Sequence, residues 1–395
     1  MISEKMYKHT QGSGAIRAMF EEGQRLAKLY GRENVYDFSL GNPSIPAPEA
    51  VKAAIGELIA DGDPVGLHGY MSNVGFPDVR RAVADSLNAR FGASFTEGNV
   101  IMSVGATGAI NAILKTLLDP GDEVIVISPY FVEYGNYIGN YDGKLVAVPA
   151  DRSTFLPDAE AVGAAVTRRT KAILLNSPNN PTGVIYPAET LEALSGILRA
   201  KEAEYGTSIY IISDEPYREL AYDGTAVPFI AKFYKNTIVC YSWSKSMSLP
   251  GERIGYLLIP GEVDDFNLIF TAAGIATRIL GYVNAPSLMQ KVVARCIDVA
   301  PDIGAYDENR KLLYRGLTDC GYECVYPQGA FYIWLKTPCG DAEFAEKAKG
   351  HNILVVPGAS FGCPGYVRIA YCAAKSTIEN SLPGFKKLAG ELGLS

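Results

Sequence analysis

Between about residues 80 and 260, short apolar runs rich in β-branched residues alternate with longer amphipathic ones. "NVIMSV" (99–104), "VIVIS" (124–128), "KAILLN" (171–176), "SIYIIS" (208–213) and "TIVCYS" (237–242) have the length and make-up of buried strands. "TGAINAILKTLL" (107–118) and "AETLEALSGILRAKEAEYG" (188–206) carry apolar positions at helical spacing. The second closes on a glycine suited to a helix C-cap. The alternation predicts an α/β fold: a mostly parallel sheet flanked by helices. Right-handed crossovers bring the strand C-terminal ends to one edge, where open α/β sheets take ligands.

The pattern changes in the last hundred residues. "AYDENRKLLYRGLTDCG" (305–321) reads as a helix, and "GAFYIWLK" (329–336) and "YVRIAYC" (366–372) read as sheet. This predicts a smaller α+β domain. A chain of 395 residues has room for both. The expected division is 1–48 as an N-terminal arm and part of the small domain, 49–285 as the large domain, and 286–395 as the C-terminal small domain.

Composition narrows the function classes. Net charge is −7 with no acidic or basic block, which argues against nucleic acid and anionic membrane as partners. The longest apolar runs are strand-sized, far short of a membrane span, and the polar "MISEKMYKHTQ" does not read as a signal peptide. Seven cysteines, all from Cys240 onward and none in a C-x-x-C pair, suggest reduced thiols and a cytoplasmic protein. The three histidines, His9, His68 and His351, form no metal-like pair, so no metal is expected.

Chemistry is concentrated just after the strands. Gly105, Ala106 and Thr107 open a helix after the first, where free backbone N–H groups favour an anion; alone, they suit an ordinary tight turn equally. Asn180 lies in "SPNNPTG" (177–183) after "KAILLN". Asp214 follows "SIYIIS" directly, a costly place for a carboxylate unless it is paired, and Tyr217 is three residues on. After "TIVCYS", the stretch "SWSKSMSLPGER" (242–253) sets Lys245 among Ser242 and Ser244, with Arg253 eight residues beyond. Burial and a neighbouring cation both lower a lysine's pKa, and such an amine forms Schiff bases with carbonyls.

Together these residues match the needs of pyridoxal 5'-phosphate. That cofactor requires an amine for its aldehyde, an anion for its ring nitrogen, donors for its ring oxygen and a seat for its phosphate. Lys245, Asp214, Tyr217 with Asn180, and residues 105–107 with Ser242, Ser244 and Arg253 supply them in turn.

"NNPTG", "SDEPY", "SWSK…GERIGY" and a late "VRIAY", in that order, resemble the class I/II aminotransferases of fold-type I pyridoxal-phosphate enzymes. The likeness runs from "DFSLGNPSIPAP" (37–48) to "GYVRIAY" (365–371). It implies that Lys245 holds the cofactor as a Schiff base and then shuttles the proton, with Asp214 and Tyr217 as the other catalytic groups. It also implies that Phe131 stacks on the cofactor ring, where many relatives carry Trp or Tyr. By the same resemblance Arg368 is expected to bind the substrate carboxylate beside Gly41 and Asn180, and Tyr70 to reach the phosphate of a neighbouring subunit, so a homodimer with shared active sites is implied.

The substrates implied are an L-amino acid, aspartate-like by preference, and a 2-oxo acid. The motifs alone leave open a carbon–sulfur β-lyase, a decarboxylase and a non-catalytic regulator. Against the regulator, only about forty non-basic residues precede the first motif. Arg17 and Lys115 are candidates for a side-chain carboxylate.

Overall fold

The computed structural model describes residues 2–11 and 15–394. A short strand, β1 (Tyr36–Asp37), precedes the main sheet. That sheet comprises β2 (Val100–Ser103), β3 (Glu123–Ser128), β4 (Lys144–Pro149), β5 (Thr170–Asn176), β6 (Tyr210–Asp214), β7 (Thr237–Ser242) and β8 (Gly255–Leu258). Their order is β2-β8-β7-β6-β5-β3-β4, and β8 alone runs against its neighbours. Every residue of β2, β3, β6, β7 and β8 is buried, as expected of strands covered on both faces.

Two strands of this sheet, β4 and β8, were not singled out from the sequence. β4 is the edge strand and is mostly exposed or half-buried, so it lacks a continuous apolar run. β8 is four residues long and lies inside the "GERIGY" motif. The anticipated helices span Gly105–Leu117 and Ala188–Tyr205. Gly206 caps the second at φ 68°, its N–H bonded to the carbonyl of Glu202, a conformation that costs glycine little.

A second, four-stranded antiparallel sheet forms from β9 (Glu323–Val325), β10 (Tyr332–Lys336), β12 (Val356–Pro357) and β13 (Tyr366–Ala370), in the order β12-β13-β10-β9. The intervening β11 (Ile353–Leu354) pairs in parallel with β1. Register sets Trp334 opposite Arg368 and Tyr332 opposite Ala370. Phe38 joins Leu313, Phe331, Phe344 and Phe385 in the core of this part. Removing one such buried ring costs about 3–5 kcal/mol.

Helix Ser287–Arg295 packs Met289, Val292 and Val293 into the core behind the large sheet. Cys296, Ile297 and Val299, just beyond this helix, pack with the same core. Tyr217 and Leu220, just beyond β6, belong to the core of the smaller part. The two cores thus meet at the C-terminal end of β6. No described helix is long and apolar enough to cross a membrane.

Candidate active site

The ends of β2, β5, β6 and β7 deliver their side chains to one cavity of about 260 Å³. Gly41, Ala106, Thr107, Phe131, Asn180, Asp214, Tyr217, Ser242, Ser244, Lys245, Arg253 and Arg368 all line it. A larger cavity, about 450 Å³, lies behind the same segment. Its Arg90 and Glu219 satisfy one another, and no lysine or histidine lines it.

Lys245 sits on a one-turn helix, Trp243–Ser246, which begins as β7 ends. The Ser242 hydroxyl accepts the Ser244 N–H at 3.1 Å and caps that turn. The two serine hydroxyls lie 2.5 Å apart. Lys245 Nζ donates to the Gly41 carbonyl at 2.6 Å. Burial lowers its pKa to about 8; the nearby Cys372 opposes this, and the positive Arg253 and Arg368 add to it. The arginine in the serine-rich stretch therefore assists a shift that enclosure mainly causes.

Asp214 ends β6 and is buried. Tyr134 Oη donates to its Oδ2 at 2.6 Å, and Asn176 Nδ2 donates to its backbone carbonyl at 2.8 Å. Oδ1 is buried with no hydrogen-bond partner. Burial pushes the carboxyl pKa up to about 7, the Tyr134 bond partly offsets this, and the neighbouring Glu215 adds to it. Glu215 turns away into an ion pair with buried Arg218.

Arg368, on β13, is 2% exposed. Its Nη1 donates to Asn180 Oδ1 at 2.9 Å and its Nη2 to the Ser39 carbonyl at 2.6 Å, while Nε has no partner. The guanidinium carbon lies 4.5 Å from the centre of the Tyr332 ring. Gly41 is held close by the same tyrosine: a Cβ there would lie 2.0 Å from the Tyr332 hydroxyl. Tyr217 Oη lies 2.9 Å from Tyr332 Oη.

The opposite end of the cavity is built for an anion. Gly105 opens its helix at φ +80°, and a Cβ there would fall 2.8 Å from Arg253 Nη2. Arg253 Nη1 donates to the Pro250 carbonyl at 2.8 Å, which holds the guanidinium against the helix N-terminus. Phe131 meets the Tyr134 ring edge-on at 5.6 Å. Of the anticipated cofactor and substrate residues, Gly105 and Tyr70 do not line the cavity: Gly105 opens the helix whose next two residues do, and Tyr70 is 95% exposed.

Tyr134, Asn176 and Tyr332 were missed in the sequence. Tyr134 follows Phe131 by three residues, and Asn176 closes the apolar run of β5, so position was the available signal. Nothing in "GAFYIWLK" marks Tyr332 beyond strand spacing. Lys115 is exposed, its ammonium 5.7 Å from the Tyr141 ring centre, and is not a cavity residue. The side chain of Arg17 lies outside the described residues.

Residues 32–381 match the family model for aminotransferase class I and II. The chain belongs to this aminotransferase family. It is 34% identical to the aspartate/prephenate aminotransferase of Thermus thermophilus over 89% of this chain and 90% of that one. An aminotransferase structure from Eubacterium rectale shares 47% identity at a TM-score of 0.96, covering 99% of each chain. The Thermus thermophilus aspartate aminotransferase solved with maleate shares 29% identity at a TM-score of 0.86, covering 98% of this chain and 99% of that one.

The aminotransferase is pyridoxal-phosphate-dependent, acting on an amino acid and an oxo acid. Its own cavity fits that cofactor. Asp214 Oδ1 is a buried acceptor awaiting a donor, and Gly105 leaves open a cradle that a side chain would fill. Ser242, Ser244 and Arg253 bring donors to the same end. The expected α/β fold, with its mostly parallel sheet, is the one these neighbours share.

Proposed function

We propose that Lys245, Asp214 and Tyr217 are the catalytic residues of a transaminase that prefers an aspartate-like donor. The observation that carries the reading is the lysine amine, shifted to about 8, enclosed in one cavity with an unpartnered buried carboxylate oxygen and a buried arginine. When bound, the cofactor supplies an electron sink that stabilises negative charge at the substrate Cα. Lys245 is the amine that would hold its aldehyde and would move the proton lost from Cα, for which a pKa near working pH is suited. Asp214, ionised by a cationic ring nitrogen, would hold that nitrogen's proton. Tyr217 and Asn180 would donate to the ring oxygen, and Phe131 would pack on the ring face.

Gly105, Ala106, Thr107, Ser242, Ser244 and Arg253 would hold the phosphate. Arg368 binds the substrate α-carboxylate beside Gly41 and Asn180, its unpartnered Nε leaving a donor free. The aspartate preference draws support from the relative named for aspartate and prephenate, and from the related enzyme solved with maleate, a dicarboxylate. The α-carboxylate and phosphate already occupy Arg368 and Arg253, so a distal carboxylate needs a further cation. Arg17 is the candidate; Lys115 lies outside the cavity.

A homodimer with shared sites is part of the proposal. Tyr70, 95% exposed, is the residue that a partner subunit's phosphate site would cover. The proposed division is an arm through residue 48, a large domain that continues through helix Ser287–Arg295, and a C-terminal small domain. Seven unpaired cysteines suit a reducing, cytoplasmic setting.

The test is a visible spectrum of cofactor-loaded protein titrated with single amino acids and no oxo acid. Aspartate or glutamate should convert the bound cofactor to its amine form at lower concentration than alanine. Equal conversion by alanine removes the dicarboxylate preference. Release of pyruvate and ammonia from cysteine, without conversion by any amino acid, would mark a lyase.

A further inference from the structure

Tyr332 stands on β10, in the smaller sheet, yet it touches three parts of the cavity at once. Its hydroxyl is 2.9 Å from Tyr217 Oη. Its ring lies under the Arg368 guanidinium at 4.5 Å. The same hydroxyl closes on Gly41, whose carbonyl accepts from Lys245 Nζ. Burial pushes the Tyr332 pKa up to about 12 and that of Tyr217 well above 10, so both phenols keep their protons at working pH. In a pair of protonated phenols one must accept from the other.

We propose that Tyr332 is a positioning residue: it donates to Tyr217 Oη, fixes that phenol as a donor into the cavity, and ties it to Arg368. The proposal rests on Tyr217 donating to the cofactor's ring oxygen. With its lone pair engaged by Tyr332, Tyr217 directs its own proton inward, and chained hydroxyls polarise one another. A polarised Tyr217 is the stronger donor. It draws negative charge from the ring oxygen and so weakens the hold on a proton beside that oxygen. The ring of Tyr332 acts separately, as a floor that keeps Arg368 flat for a carboxylate.

The charged and titratable groups around the two phenols are Arg368, Cys372, Asp214, Tyr134 and, across the same cavity, Lys245. All are kept in the variants Tyr332→Phe, Tyr332→Leu, Tyr217→Phe and Tyr332→Phe with Tyr217→Phe. The readouts are the pH midpoint of the visible band of bound cofactor, the cofactor Kd by equilibrium dialysis, and KM for the amino donor.

Tyr332→Phe should raise the midpoint by about half to one pH unit, the size of one relayed hydrogen bond. It should raise the cofactor Kd by about twofold to fivefold, also the size of such a bond, and leave KM nearly unchanged because the ring remains. Tyr332→Leu should in addition raise KM about tenfold, the loss expected with the ring beneath Arg368. Tyr217→Phe should move the midpoint further, and the double variant no further than Tyr217→Phe alone. If Tyr217→Phe leaves the midpoint in place, the underlying role of Tyr217 is wrong. If Tyr217→Phe moves it and Tyr332→Phe does not, or the two shifts add, the positioning role of Tyr332 is overturned.

Discussion

Tyr134 Oη donates to Asp214 Oδ2 across 2.6 Å, although 80 residues separate the two in the chain. One carboxylate oxygen is thereby anchored, and the other is left buried and unpartnered. Tyr134→Phe should weaken cofactor binding about fivefold to tenfold, the upper part of the range for one net hydrogen bond. Asp214→Asn should weaken it more than about 100-fold, because a charged partner is lost. Equilibrium dialysis reads both. Equal losses in the two variants would show that Tyr134 does more than hold the carboxylate.

The raised pKa of Asp214 carries a stability signature in the cofactor-free protein. The folded carboxyl keeps its proton to about pH 7, whereas an unfolded aspartate releases it near 3.9. Between those values the unfolded chain binds fewer protons, so stability falls as pH rises and levels off above 7. The fall is of order 2–4 kcal/mol. Asp214→Asn should abolish this slope, so that cofactor-free variant is more stable than the parent at pH 8 despite binding cofactor poorly. Urea unfolding at pH 4 to 8 tests this, and parallel curves for the two proteins would refute it.

Lys245 shifts in the opposite sense. Its amine becomes neutral through about pH 8 instead of near 10.4. The rate at which cofactor-free protein captures pyridoxal phosphate should therefore rise with pH through about 8 and then level. Stopped-flow absorbance follows it. A rate still climbing at pH 10 would mean that the amine is not depressed. Lys245→Ala should lose both borohydride-stable attachment of the cofactor and turnover.

Arg368 is held by Asn180 and Ser39 with its Nε free. Arg368→Ala should raise KM for every amino donor by about 10²–10³, since a bidentate charged pair is lost. Arg368→Lys should recover only part, because an ammonium cannot reproduce the planar fork. Cofactor Kd should change little. A large rise in cofactor Kd with an unchanged KM would reassign the residue.

The proposed sharing of sites between two subunits predicts complementation. Tyr70→Ala and Lys245→Ala homodimers should each be weakly active or inactive. Unfolded together and refolded, random pairing makes about half the dimers hybrid, each with one intact site, so about a quarter of parental activity should return. No recovery, with mixed dimers shown by native mass spectrometry, would place Tyr70 outside the partner's site.

The sequence determined the fold class and most of the cavity because buried parallel strands leave continuous apolar runs, and chemistry placed directly after such runs must face one edge. Lys245, Asp214, Asn180 and Arg253 were legible for that reason. Two strands of the large sheet left no such mark, one exposed at the sheet edge and one too short to show a period. The tertiary structure alone decided which side chains touch. Tyr134 reaches Asp214 from a helix after β3, Asn176 ties β5 to β6, and Tyr332 reaches Tyr217 from the second sheet. These contacts join residues from 38 to 115 positions apart. Local spacing carries no information about such pairs, because the packing of one core against the other sets their distance.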